Sequence, residues 1–441
     1  MRARIRRGAS LLLASSWWLV PACGTTADDA TGLLDSGVED ARRNAVGPDA
    51  RPDAVVDASA PDAAIPDAMV DADPPGDGDA TTVRIGPNRV DHFLRHETAA
   101  PGYEGELWTL FLREREPPWL RAGQPAQEGQ VVLFVHGATG AGEPLWDPDI
   151  EGYSFLDAAA RAGFDAFSID LTGYGRSTRP PPMDDPCNVP WWHRSLVPAC
   201  AGPRHTQHLT TTDTDVDDLL AALAYLRRLR GVDTVSLIGL SQGGLRVLHF
   251  ASLHPELIHR VVATGISGSG RLSSADPPAD VPATGPPMVT NTCEEFVDRI
   301  TSGGCRPDQT VPEIMMEVCA ESLRSDPIGS GWGPGFTRSP GQTTWGYAFS
   351  TYQALTAPTL LVTGACDPLT PDIAHVALFD AIGSTDKVRM VFDGAGHVFP
   401  YETQVERFHA PIFGWLETGA FEGTPVGEFS ISFAGVPTRI D

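Results

Sequence analysis

Residues Gln130–His136 read Gln-Val-Val-Leu-Phe-Val-His, with no polar alternation between the two ends. A strand with that pattern must be covered on both faces, which an open two-layer β-structure cannot do. Further strand patterns follow at 164–170, 234–240, 260–265, 359–363 and 387–392. Helical patterns separate them, one ending at Ala162, one from Thr212 to Arg230 and one from Gln242 to about His254. In the second of these, Leu219, Leu220, Leu223, Leu226 and Leu229 fall at helical spacing. Strand–helix alternation predicts an α/β fold, a mostly parallel central sheet of about eight strands with helices on both faces. Segments 81–90 and 105–115 read as antiparallel strands that start it.

Two stretches break the rhythm. Residues 178–211 hold Pro, Trp191, Trp192 and two Cys, and residues 268–356 hold short helices among Gly- and Pro-rich loops. Both leave the sheet at carboxyl ends of strands, so both are expected to overhang the cleft there, the second as a cap or lid. The expected organisation is a core over 81–267, a cap over 268–356, and the rest of the core and a tail over 357–441.

The first 80 residues are of another kind. Met1–Arg7 is basic, 8–20 is apolar but too short to span a bilayer, and Val20-Pro21-Ala22-Cys23 follows. That is the layout of a secretory signal. It resembles a bacterial lipoprotein signal, which implies lipidation of Cys23 and a mature chain that starts there, although Pro21 departs from the usual residue at its position. Residues 24–80 repeat Pro-Asp-Ala at 48–50, 52–54, 61–63 and 66–68. Such a segment buries too little apolar surface to offset the entropy of ordering, and its Pro and like charges extend it into a tether. Asp73, Asp77 and Asp79 lack the ligand spacing of a calcium loop. The whole chain carries a net charge of −25. Phosphate backbones repel such a surface, so a nucleic-acid partner is not expected. Beyond residue 23 no apolar run reaches the roughly 18 residues of a membrane span. The expected place is therefore outside the cytoplasm, lipid-anchored to a bacterial membrane, otherwise periplasmic or secreted.

Seven Cys are present. An odd number in an exported chain is accounted for if Cys23 carries lipid. The simplest pairing is local, Cys187–Cys200 and Cys293–Cys305, with Cys319 and Cys366 as a third bridge or as thiols. No CxxC pair supports a zinc site, and no metal or other cofactor is implied.

The chemistry sits in four short stretches. Gly239-Leu240-Ser241-Gln242-Gly243-Gly244 joins an apolar strand to an apolar helix. This G-x-S-x-G arrangement, with Gly239 and Gly243 leaving room for a sharp turn, presents Ser241 as a nucleophile. A serine near its free pKa needs a base held by a carboxylate. Asp367 follows one predicted strand and His397 the next; Asp372 is the alternative acid. His136-Gly137-Ala138 ends a third strand, so the backbone N–H groups of Ala138 and Gln242 are candidates for an oxyanion hole. His136 itself reads as a brace for the loop.

Taken together, His136-Gly137, Asp170-x-x-Gly173-x-Gly175-x-Ser177, Gly239-x-Ser241-x-Gly243, Asp367 and His397 resemble the α/β-hydrolase superfamily across residues 104–418. The resemblance implies the α/β-hydrolase fold and a serine hydrolase that cleaves a carboxylic ester of a small-molecule or acyl substrate. A thioesterase or small peptidase is the alternative within that fold. Haloalkane dehalogenases and epoxide hydrolases of the same fold carry Asp where this chain has Ser241. A catalytically inactive surface binding protein is the rival from another class, and the three filled triad positions argue against it. The sequence leaves the oligomeric state open.

Overall fold

The computed structural model describes residues 80–441 except 198–199, 267–285, 302–304, 307, 342–344 and 371. The expected signal, Cys23 and the expected tether lie outside the described residues.

Thirteen strands are described: β1 (Ala80–Gly86), β2 (Arg89–Glu97), β3 (Leu107–Arg115), β4 (Val131–Val135), β5 (Asp165–Asp170), β6 (Val235–Leu240), β7 (Ile258–Thr264), β8 (Met288–Asn291), β9 (Thr337–Pro340), β10 (Thr359–Gly364), β11 (Lys387–Phe392), β12 (Gly427–Ile431) and β13 (Pro437–Arg439). Eleven form one sheet in the order β1-β2-β3-β5-β4-β6-β7-β10-β11-β12-β13, and β8 pairs with β9 apart from it. From β5 to β12 every neighbour is parallel, and the additions at the two ends are antiparallel. The sheet exceeds the expected eight strands at its margins. Segment 81–90 is a hairpin of β1 and β2 rather than one strand, because Pro87 removes a ladder donor and forces the turn. β12 and β13 come from the tail.

The strands of the middle are buried because their side chains alternate between two apolar layers. Leu133, Val135, Leu237 and Val261 meet Leu219, Leu223 and Leu226 of the helix Thr212–Arg230 on one face. Val132, Phe134, Ile238 and Val262 meet Phe155, Leu156, Phe408 and Trp415 on the other. Thr211 caps the long helix by accepting from the N–H of Thr214, 3.3 Å, and Gly231 ends it in the left-handed conformation.

The segment between β7 and β10 contains β8, β9 and the helices Cys293–Thr301 and Pro312–Arg324. Met315 and Val318 of the latter join Leu145 and Trp146, just past the end of β4. This insert and the insertion after β5 share a core of their own, formed by Met183, Val189, Val197, Leu209, Met288 and Phe336. His193 ties them with hydrogen bonds to Thr290, 2.6 Å, and Glu295, 2.7 Å. Disulfides follow this packing. Cys187–Cys200 is as expected, but Cys293 pairs with Cys319 and Cys305 with Cys366. The local Cys293–Cys305 pairing is corrected because the two insert helices pack side by side, which brings Cys293 to Cys319 and leaves Cys305 to the loop after β10.

Candidate active site

β6 ends at Leu240, and the helix Gln242–Leu253 starts two residues later. Ser241 makes that turn alone, at φ 57° and ψ −122°. A non-glycine residue in such a conformation carries about 1–3 kcal/mol of strain that the surroundings must impose. They do so by contact. A Cβ on Gly239 would lie 2.2 Å from the Gly243 carbonyl oxygen, and one on Gly243 2.3 Å from that of Val135. The backbone is pinned as well: Ser241 N–H donates to the Thr264 carbonyl at the end of β7, 2.8 Å. The residue stays partly exposed, at a helix N-terminus that favours negative charge.

Asp367 leaves β10 and His397 leaves β11, neighbouring parallel strands. His397 Nδ1 lies 2.8 Å from Asp367 Oδ2. The other carboxylate oxygen accepts from the N–H groups of Leu369, 2.8 Å, and Thr370, 3.1 Å, while the Thr370 hydroxyl also donates to Oδ2. Burial pushes this carboxyl up, but the His397 bond and charge and the Thr370 and Leu369 donors outweigh it. The net position is below the ordinary value. An aspartate held ionised and aimed at Nδ1 can fix the tautomer that leaves Nε2 as an acceptor. The ring lies close to Gly265, past the end of β7. A Cβ on Gly265, which follows β7, would lie 3.4 Å from His397 Nδ1 and 3.4 Å from Leu240 Cδ1, the residue before Ser241.

The loop after β4 closes the site from the other side. A Cβ on Gly137 would lie 3.1 Å from the Cβ of Ser241. Ala138 follows, and Gln242, first residue of its helix, has a backbone N–H with no intrahelical acceptor. His136 holds this loop: Nδ1 meets the Gly137 carbonyl, 2.8 Å, and Nε2 accepts from Leu171 N–H, 3.1 Å. Burial, then the nearby Arg246 charge, pushes it down to about 3, so it is a neutral brace. Asp372 opens the helix Asp372–Ala381; its side chain lies outside the described residues.

Several supports went unread in the sequence. Arg246 donates to the His136 carbonyl, 3.1 Å, and is held by buried Asp215, 2.8 Å. Its position five residues past Ser241, one helical turn and a third, was the available signal. Asp170, already part of a motif, accepts from the N–H groups of Gly142, 2.6 Å, and Arg176, 2.9 Å.

Residues 130–303 match the family model described as the alpha/beta hydrolase fold. The chain has the α/β-hydrolase fold. Solved structures similar to this α/β-hydrolase-fold chain include a thermophilic esterase from Thermogutta terrifontis, 20% identical, over 74% of this chain and 98% of that one, TM-score 0.43. A monoacylglycerol lipase from Paleococcus ferrophilus is 19% identical over 70% and 99%, TM-score 0.44. A serine hydrolase from the polyaromatic hydrocarbon-degrading bacterium Cycloclasticus zankles is 16% identical over 75% and 99%, TM-score 0.46. No curated protein matches the sequence.

Proposed function

We propose that the protein is a serine hydrolase that cleaves carboxylic esters through an acyl-enzyme. What supports this is the 2.8 Å His397–Asp367 pair on the loops after β10 and β11, together with a serine forced to φ 57° at a helix N-terminus after β6. Ser241 Oγ attacks the ester carbonyl as His397 Nε2 takes its proton. The N–H groups of Ala138 and Gln242 receive the oxyanion. His397 returns the proton to the departing alkoxide, and water, activated the same way, releases the acid. Asp367 stays ionised and steadies the imidazolium. Chain export and a lipid on Cys23 would put this site outside the cytoplasm, near a membrane. Ser241→Ala tests the reading: turnover of a p-nitrophenyl ester should fall by at least about 10³-fold with the melting temperature unchanged. A fluorophosphonate should label the wild type at Ser241 only while it is folded. An active Ser241→Ala variant would move the nucleophile elsewhere.

A further inference from the structure

One group of contacts at this site is not used by the triad chemistry. Cys305, in the insert, is bonded to Cys366, the residue before Asp367. Cys366 N–H in turn donates to the Ala395 carbonyl, 2.8 Å, two residues before His397. The histidine loop has its own anchor. Gly396 N–H donates to Glu402 Oε1, 2.6 Å, and the same oxygen accepts from Gln309 Nε2, 2.7 Å. Both side chains are buried, Glu402 at 5% and Gln309 at 6% exposure. Gln309 belongs to the same stretch of the insert as Cys305. Its Oε1 accepts from Cys305 N–H, 3.0 Å, and its carbonyl accepts from Thr403 N–H, 3.0 Å. Thr310 and Glu402 form a backbone bridge. One short stretch of the insert thus grips the acid loop covalently and the base loop through a buried carboxylate.

The loops bearing Asp367 and His397 are irregular, and neither side chain stands on a strand or helix. A displacement of about 1 Å in such a pair costs on the order of 10²-fold in rate. We propose that the Cys305–Cys366 disulfide and the Gln309–Glu402 pair are positioning residues that hold His397 against Asp367, so that the insert carries part of the catalytic geometry. This rests on the triad reading above. The other two disulfides provide an internal contrast. Cys187–Cys200 lies within the insertion after β5, and Cys293–Cys319 joins two helices of the insert. Neither reaches the acid or base loop.

The test uses the exported full chain with a p-nitrophenyl ester, reading kcat and KM separately, with melting temperature as the check on folding. The variants are Cys305→Ser with Cys366→Ser, Cys187→Ser with Cys200→Ser, Glu402→Leu, Glu402→Gln and Ser241→Ala. Opening Cys305–Cys366 should lower kcat by about 10- to 100-fold at unchanged KM, and Glu402→Leu should do the same. Glu402→Gln keeps an acceptor for Gly396 and should recover most of that loss. Opening Cys187–Cys200 should leave kcat alone. Wild-type kcat in the folded Cys305→Ser/Cys366→Ser protein, or equal losses from Glu402→Leu and Glu402→Gln, overturns the proposal. If the double serine variant does not fold, the Glu402 comparison decides. An active Ser241→Ala variant sinks the triad reading instead, whereas an inactive one beside clip variants at wild-type kcat sinks the clip alone.

Discussion

At the scale of single residues, the glycines around Ser241 separate packing from chemistry. Gly243 faces backbone: its added Cβ would stand 2.3 Å from the Val135 oxygen and 2.5 Å from the His136 oxygen, neither of which can swing away. Gly243→Ala should therefore cost about 2 kcal/mol or more of stability. Gly137 is tight but not impossible, with Leu240 O at 3.0 Å and Ser241 Cβ at 3.1 Å. Gly137→Ala should shift the oxyanion loop more than it destabilises the fold, and lower kcat by about 10-fold or more. Gly140, on the same loop, has no atom within 4 Å of an added Cβ, so Gly140→Ala is the silent control. Thermal melts with ester kinetics on the three variants check the order; a Gly243→Ala protein as stable as Gly140→Ala would contradict it. The candidates Ser241, Asp367 and His397 can be picked out of the sequence because each follows shortly after an apolar strand. Arg246, Asp215, Gln309 and Glu402 cannot, since each acts through a partner far away in the chain.

Between elements, a charged contact makes stability depend on pH. Asp218, on the helix Thr212–Arg230, is buried and accepts from Thr172 N–H, 2.7 Å, and the Thr172 hydroxyl, 2.9 Å. His96, at the end of β2, lies 3.4 Å from Asp218 and 3.5 Å from Asp217. Burial pushes Asp218 up to about 7 from its ordinary 3.8, against the His96 charge and the Thr172 donors. Burial pulls His96 down, but Asp217 and Asp218 outweigh it and the net is upward. In both cases the folded chain holds a proton that the unfolded chain has already released. The contribution of this pair to stability should therefore fall as pH rises from about 4 through 7, then level off once both groups are deprotonated. Asp218→Asn removes the Asp218 shift and part of the His96 shift, so the wild type should lose melting temperature relative to this variant between about pH 4 and 8. Parallel curves would refute this. The same contrast explains what could be read of the fold. Strands such as β4 and β6 announce themselves because both faces are apolar. β1 lies at the sheet edge with exposed positions interleaved, and β12 alternates buried and half-buried residues over five positions, too short to stand out. Where the insert docks is a property of its surface against the sheet ends. Pairing Cys by sequence distance failed there: Cys305 and Cys366 are 61 residues apart.

Across the whole molecule, the described domain and residues 24–79 differ in composition. The domain closes two apolar layers about its sheet and adds three disulfides, each of which limits the freedom of the unfolded chain by roughly 3–4 kcal/mol. The segment 24–79 has no comparable apolar content and contains none of the motifs above. If Cys23 carries the lipid, this segment is the link between lipid and domain. Among the described residues no helix is long and apolar enough to cross a membrane, so within that part nothing helical replaces the lipid. Two chains then separate anchoring from catalysis. Cys23→Ala should release the protein from the membrane fraction with ester turnover unchanged. A chain secreted from Ala80 onward should match the wild type in kcat and in melting temperature, because β1 begins there. Both are read by fractionation, kinetics and a thermal melt. Membrane retention of Cys23→Ala would refute the lipid anchor, and a lower melting temperature of the shortened chain would show that the segment packs on the domain.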